Sequence, residues 1–291
     1  MKKNFLRKTL RNLSFPVVVM LLGGCGVEAG NPDSKGGKLS RIFVSPTSYP
    51  DVGSVSLSIE RVNLVQGDAV FSRNYQSQKL DLMSKNGSVS EDSAPALSVE
   101  LAETQNKFER IELILAKEDP YLQVSLNSKA EPVKAAVVSE MGVVSRSLVF
   151  NGTTNSNANI DVVVDVELRK SLRPITAEQR EQLNLPNDVV FVIQQKHSFL
   201  EFAEAGAIGF SDFEASSLVC VFVGESLPAA SADACTGAGF KSQIVSSRGT
   251  ATIGSLVSGE YRVVNITRDN RVVELGRTTV SSGSKVVLSG K

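Results

Sequence analysis

Apolar and polar residues alternate along much of the chain from residue 40 onward. Val55, Leu57 and Ile59 are separated by serines. The same period-two pattern recurs in Ile111–Leu115 and Leu122–Leu126. Successive side chains on a strand point to opposite faces of a sheet, so this spacing predicts half-buried β-strands. Patterns with helical spacing are few, which favours an all-β fold.

One short helix is predicted near residues 176–184. Thr176 precedes a polar segment and can act as the N-cap, and Gln179 lies at the third helical position. Together they form a capping-box pattern, in which each side chain bonds the backbone of the other residue. Pro186 then ends the helix, and Val189–Ile193 returns to a strand pattern.

A second block of strand patterns begins at about residue 207. Its segments are Leu218–Val223, Thr250–Ile253, Leu256–Val263, Val264–Thr267, Arg271–Leu275 and Lys285–Leu288. Arg268, Asp269 and Asn270 form a turn signal between two of these strands. We therefore predict two β-sandwich-like domains, at residues 40–206 and 207–291.

The N-terminal segment has the three parts of an export signal. Its basic residues are Lys2, Lys3, Arg7, Lys8 and Arg11, with no acidic residue among them. The apolar run Phe15–Leu22 follows, and small residues come next. This order is typical of a secretory signal peptide. The apolar run is well short of the roughly 20 residues that span a bilayer, so residues 1–24 are predicted to be a cleaved signal.

Leu22, Gly23, Gly24 and Cys25 end this segment. The tetrapeptide resembles the lipobox of bacterial lipoproteins. The resemblance implies cleavage between Gly24 and Cys25 and attachment of diacylglycerol and palmitate to the Cys25 thiol. The mature protein would begin with a lipidated, glycine-rich, flexible tether at residues 25–39. Gly26 in place of aspartate implies sorting to the outer membrane. The alternative is an ordinary signal peptide with a coincidental cysteine.

Charge and composition narrow the possible partners. Five of the 31 basic residues precede Cys25, so the remaining 26 stand against 31 acidic residues. A mildly acidic chain without basic clusters is a poor candidate for binding nucleic acid. About 267 residues follow the signal, which is enough for two domains.

Cys220 and Cys235 are the two cysteines after Cys25. A pair of cysteines in an exported chain predicts a disulfide. A disulfide that closes a loop of about 15 residues stabilises the folded state by about 3 kcal/mol on the chain-entropy model. The alternative is two buried free thiols. Neither a histidine nor a further cysteine lies nearby in the sequence, which argues against a metal site.

Residues 38–173 resemble a domain family of unknown function found in bacterial lipoproteins. The resemblance rests on four segments: Val55–Val62, Leu80–Met83, Arg110–Leu115 and Ile160–Ser171. The sequence departs from that family at residues 45–50, which replace an acidic opening, and at residues 105–108, which replace a Gly-Tyr turn. The family brings no known activity with it.

Residues 207–291 resemble carboxypeptidase-regulatory or transthyretin-like β-sandwich modules. The resemblance is carried by Ile253–Val263, which is similar to their Leu-x-x-Gly-x-Tyr motif. It implies that Gly259 permits a turn and that Tyr261 packs inward. Such modules are structural spacers or binding units.

Candidate chemistry is sparse. His197 is the single histidine. A nucleophilic triad would need it beside a serine and an aspartate, yet no Gly-x-Ser-x-Gly elbow is present in the sequence. We predict a surface or strand-edge histidine.

Asp161, Asp165 and Glu167 share one face of the predicted strand Asp161–Leu168. They are the candidate ligands for calcium, and a glycosidase carboxylate pair is a further alternative. The interpretation we favour is a solvated polar face opposite a buried valine face, with no metal. Asp212 and Glu214 offer only two carboxylates and are interpreted as linker acids.

These observations predict a non-catalytic, membrane-anchored envelope or cell-surface lipoprotein with a structural or binding role. No cofactor is expected beyond the covalent lipid, and the partners would be envelope proteins or a surface polysaccharide. One alternative is a carbohydrate-binding module, for which Tyr49, Tyr75 and Tyr121 are the candidate aromatic platform. A hydrolase built on His197 or on paired carboxylates is the other.

Overall fold

Strands make up nearly all the regular structure of this protein. The computed structural model describes residues 38–83, 95–101, 107–155, 160–195, 197–231 and 233–290. The strands of the first sheet are β1 (Lys38–Val44), β2 (Val52–Gln66), β3 (Ala69–Asp81), β4 (Leu97–Leu101), β5 (Arg110–Leu115), β6 (Leu122–Leu126), β7 (Val133–Val138), β8 (Val144–Ser145), β9 (Ser147–Asn151), β10 (Asp161–Asp165), β11 (Leu172–Pro174), β12 (Val189–Gln194) and β13 (His197–Glu201).

Seven further strands follow this sheet in the chain. They are β14 (Gly206–Ser211), β15 (Leu218–Phe222), β16 (Phe240–Ile244), β17 (Ala251–Leu256), β18 (Gly259–Ile266), β19 (Val272–Val280) and β20 (Lys285–Ser289). The prediction of an all-β fold is confirmed. Within the described ranges, no helix has the length and apolar content needed to cross a membrane.

The first thirteen strands form one hydrogen-bonded sheet. Its main path is β11-β12-β7-β6-β2-β5-β9-β13-β10-β1-β4, with β3 paired to β2 and β8 to β7. Most pairs are antiparallel, but β1 runs parallel to β10, β12 to β7, and β13 to β9. The parallel pair β1–β10 joins segments far apart in sequence, with Arg41 opposite Asp161.

The predicted alternation matches the observed burial. On β2, Val55, Leu57 and Ile59 are almost fully buried and belong to one large core cluster. On β5, Ile111, Leu113 and Leu115 are fully buried, while the residues that alternate with them are half-buried. Burial of each such side chain contributes about 1.5–3 kcal/mol relative to exposure, so this face is a large source of stability for the sheet.

The C-terminal strands form a β-sandwich. One sheet has the order β17-β14-β20 and the other the order β16-β15-β18-β19. Ile208 and Ile253 from the first sheet pack with Val219, Val221 and Val263 from the second in one buried cluster. Side chains from two facing sheets that share a core define a sandwich.

The predicted hairpin in this sandwich is confirmed. Strands β18 and β19 pair antiparallel around residues 267–271, and Asn270 adopts the left-handed conformation with φ of 60°. The predicted role of Gly259 is wrong, because its φ is not positive and the space around its α-carbon is open. Tyr261 is half-buried against the sandwich core, as predicted, and its hydroxyl donates to the Val257 carbonyl over 2.7 Å.

Two short helices lie between β10 and β12, at α1 (Leu168–Ser171) and α2 (Ala177–Gln182). The predicted α2 is confirmed together with its capping box. The backbone amide of Gln179 donates to the Thr176 hydroxyl over 3.1 Å, and the side-chain oxygen of Gln179 accepts from the backbone amide of Thr176 over 3.2 Å. A capping box depends only on local sequence, which explains why it was predictable.

One local prediction is corrected. The strand expected to continue to Leu168 ends at Asp165, because the chain turns into α1. Strand β9 pairs with β5 and β13 and not with β10. After β9, the Gly152 amide donates to the Glu109 carbonyl over 3.0 Å.

The predicted division into a signal, a tether and two domains stays a prediction. Residues 37–291 form one compact unit. Within this unit the chain passes from the first sheet to the sandwich between β13 and β14, close to the proposed boundary at residue 206. The predicted signal, residues 1–24, lies outside the described residues. So does the tether at residues 25–39, except that Lys38 and Leu39 belong to β1.

Candidate functional site

The disulfide prediction is confirmed. Cys220 on β15 is bonded to Cys235 in the loop before β16, with their α-carbons 6.1 Å apart. Both residues are buried and pack with Phe222 and Val264. The bond ties a long surface loop to the sandwich. Cys25, the predicted lipid acceptor, and Gly24 lie outside the described residues.

The three candidate calcium ligands each face a protein cation. The carboxylate of Asp161 receives two hydrogen bonds from the Arg41 guanidinium. Lys170 Nζ lies 2.6 Å from a Glu167 carboxylate oxygen. Burial raises the pKa of Glu167, and the negative charge of Asp165 acts in the same direction. Within the described ranges, no group of three or more acidic, histidine or cysteine side chains is arranged to hold a metal ion.

Asp165 is buried, which corrects the interpretation of this face as solvated. Its exposure is 6%, and that of Val163 on the same face is 1%. Lys241 Nζ on β16 donates to Asp165 over 2.5 Å and to the Ser255 carbonyl over 2.6 Å. The C-terminal strands therefore cover a surface that the alternation pattern alone assigned to solvent.

The position of His197 also differs from the prediction. It lies on β13, between β9 and β10, and is only 5% exposed. Its ring lies 5.5 Å from that of Phe150, and neither ring nitrogen has a hydrogen-bond partner in the described part of the chain. Burial lowers the pKa of His197 to about 4, against an opposing effect of the Asp165 charge. Its neutral ring packs as part of the core.

Asp212 and Glu214 make local contacts in the C-terminal half. A carboxylate oxygen of Asp212 accepts from the Ser289 hydroxyl over 3.1 Å, and Glu214 accepts from the Arg268 amide over 3.5 Å. Both acids lie in the connection between β14 and β15, inside the sandwich, which corrects their interpretation as linker acids between the two blocks.

An open cleft of about 1010 Å³ lies where the first sheet meets the sandwich. One wall is the β1–β2 connection, residues 46–53, and the opposite wall is formed by residues 243–252 and 266–270. The Ser48 hydroxyl accepts a hydrogen bond from the Ile244 amide over 2.8 Å and joins the two walls. Ligand sites are common at such junctions and at this size.

A tight turn shapes the first wall. The Val52 amide donates to the Tyr49 carbonyl over 3.3 Å, and Asp51 has a φ of 58°. Pro50 presets the turn, and aspartate tolerates the left-handed conformation better than most residues. The ring of Tyr49 is half-buried and packs edge-on against Phe191, with the ring centres 6.4 Å apart.

The cleft lining carries three arginines and one aspartate. Arg169 is 8% exposed and donates to the Ala234 carbonyl over 3.1 Å. Burial lowers the pKa of Arg169, and the charge of Asp233 opposes this shift. Arg248 and Arg268 are exposed at the rim, and the described residues place no carboxylate in ion-pair contact with either guanidinium.

Of the three candidate tyrosines, Tyr49 alone lines this cleft. The hydroxyl of Tyr75 donates to the Ser98 carbonyl over 2.5 Å, and Tyr121 lies beneath Lys134 Nζ at 5.7 Å. The sequence did not indicate that Arg169, Arg248 and Arg268 share a cleft, because they come from three separate segments. The one sequence feature that pointed to this region was the polar run at residues 246–250, which is typical of an exposed loop.

Comparison with known proteins does not identify a family. No protein-family model matches the chain, and no curated protein matches it.

Several solved structures show a distant likeness. The Bacillus anthracis TIE protein is 12% identical, with a TM-score of 0.21, over 90% of this chain and 41% of that protein. The minor pilin GBS52 of Streptococcus agalactiae is 10% identical, with a TM-score of 0.20, over 87% and 94% of the two chains. The Streptococcus pneumoniae pilus backbone RRGB is 6% identical, with a TM-score of 0.23, over 88% and 99%. TM-scores this low assign neither a family nor a function to this chain.

Proposed function

We propose that this protein is a non-catalytic lipoprotein of the bacterial cell envelope, anchored through lipid on Cys25, with a binding or structural role. The lipobox-like sequence Leu22–Cys25 is the observation that carries the proposal. The basic and apolar segments before it have the order of an export signal. Gly26 favours the outer membrane as the destination.

The disulfide supports export. Disulfides persist in oxidising compartments such as the periplasm or the cell surface, and are rare in the cytosol. Cys220 and Cys235 are bonded and buried in the sandwich, so the fold suits a chain that matures outside the cytoplasm.

The positions of the titratable residues favour a non-catalytic role. His197 is buried in the first sheet and is not exposed to a substrate. The carboxylates of Asp161 and Asp165 are engaged by Arg41 and Lys241. General acid or base catalysis needs a titratable group within hydrogen-bonding reach of a substrate, and these groups are instead committed to packing and ion pairs.

Metabolic labelling tests the lipid anchor. Cells that make the protein are grown with radioactive palmitate, and the protein is recovered from the membrane and soluble fractions. The unaltered protein should be labelled and membrane-bound. Cys25→Ser should lose the label and enter the soluble envelope fraction, because two or more acyl chains are needed for stable anchoring.

Gly24→Ala is the matched control, because it keeps a small residue beside the cleavage site. It should retain both label and membrane association. Palmitate labelling of the Cys25→Ser protein would overturn the proposed anchor.

A further inference from the structure

We propose that the cleft between residues 46–53 and residues 243–252 and 266–270 binds an acidic oligosaccharide, one whose sugars carry carboxylates. This inference rests on the proposed binding role and names the ligand class. The cleft volume of about 1010 Å³ is large enough for several sugar rings.

Charge selects an acidic ligand. Arg248 and Arg268 project from two different turns at the same rim, and Arg169 lies deeper in the same cleft. Arginine presents donors in a planar fork that matches a carboxylate. The other exposed arginines of the sandwich, Arg271 and Arg277, are paired with acidic side chains. Among the described residues, no carboxylate is paired with the guanidinium of Arg248 or Arg268.

The neutral lining selects a polyhydroxylated ligand over an acidic peptide. Nine of the residues that line the cleft are serines or threonines, and Asn127, Gln243 and Asn270 add side-chain amides. Hydroxyls and amides both donate and accept hydrogen bonds, as sugar hydroxyls do. Asp51 adds an acceptor for sugar hydroxyls on the wall opposite the rim arginines.

Tyr49 adds an apolar surface of suitable shape. Its half-buried ring contacts Phe191 and lines the cleft beside Pro50. An aromatic ring held by packing loses little conformational freedom on binding, and the apolar face of a sugar ring can pack against its accessible part. The cleft therefore combines an aromatic surface, hydroxyl partners and carboxylate-binding cations.

Calorimetric titration of the full chain in mild detergent tests the proposal, with trigalacturonate as the probe. We expect saturable binding at low salt that weakens as salt is added, because exposed charges are screened. Maltotriose, which has no carboxylates, should bind at least about tenfold more weakly. This factor corresponds to the loss of about one hydrogen bond to a charged group.

The double variant Arg248→Gln with Arg268→Gln should weaken trigalacturonate binding by about tenfold or more. Arg61→Gln with Lys79→Gln is the matched control, because it removes two exposed positive charges outside the cleft. Tyr49→Leu should weaken the binding of both trigalacturonate and maltotriose, since it removes the aromatic ring without changing the charge of the cleft.

Three results would overturn the proposal: no saturable trigalacturonate binding, an equal loss in the control variant, or tighter binding of hexaglutamate than of the sugar. Circular dichroism of each variant establishes that it is folded. Palmitate labelling of Cys25 is read independently, so failure of the sugar site leaves the anchor proposal standing.

Discussion

We expect the buried His197 to make the folded protein less stable in mild acid than at neutral pH. Its pKa of about 4 lies below the ordinary value of 6.5, because the folded chain disfavours the charged ring. Between pH 6.5 and about pH 4, the His197 ring therefore binds a proton more readily in the unfolded chain than in the folded one. As the pH falls through 6.5, the free energy of unfolding begins to decrease, and it continues to decrease until the pH is below about 4.

The size of the effect follows from the same two values. The full difference is worth about 3 kcal/mol, and about 2 kcal/mol of it is already lost at pH 5. The free energy of unfolding of an ordinary domain is about 5–15 kcal/mol, so a loss of this size is measurable. Packing of His197 against Phe150 gives the ring no donor or acceptor that would stabilise a proton.

Urea unfolding at pH 7 and pH 5, followed by circular dichroism, measures this loss. His197→Leu removes the titrating group and keeps an apolar side chain in the core. The unaltered protein should lose about 2 kcal/mol more than His197→Leu between the two pH values. All other titratable side chains are common to both proteins, so their contributions cancel. Equal pH dependence in the two proteins would refute the reasoning.

Two further predictions concern the C-terminal half. Replacing both Cys220 and Cys235 with alanine should lower the free energy of unfolding by about 3 kcal/mol, measured by urea titration under non-reducing conditions. No change relative to the unaltered protein would contradict the stabilising role. Lys241→Met should cost about 3 kcal/mol, because it leaves the Asp165 charge buried without its partner. The exposed control Lys79→Met should cost less than about 0.5 kcal/mol, and equal losses would count against the Lys241 argument.

The carboxylates of β10 show where sequence reasoning stops. Alternation correctly identified Val162 and Val164 as core residues, because the period of a strand is a local property. It assigned the opposite face to solvent, yet Asp165 is covered by Lys241 from a strand 76 residues later. Alternation reports that two faces differ, but it does not report what lies against each of them.

The sequence by itself determined the all-β class, the capping box of Thr176 and Gln179, and the pairing of Cys220 with Cys235. Each depends on spacing within a short stretch or on there being few partners to choose from. The tertiary structure alone decided the parallel pairing of β1 with β10, the burial of His197 and the cleft that gathers Arg169, Arg248 and Arg268. Such contacts join segments that are distant along the chain, and they arise only when the sheets pack against one another.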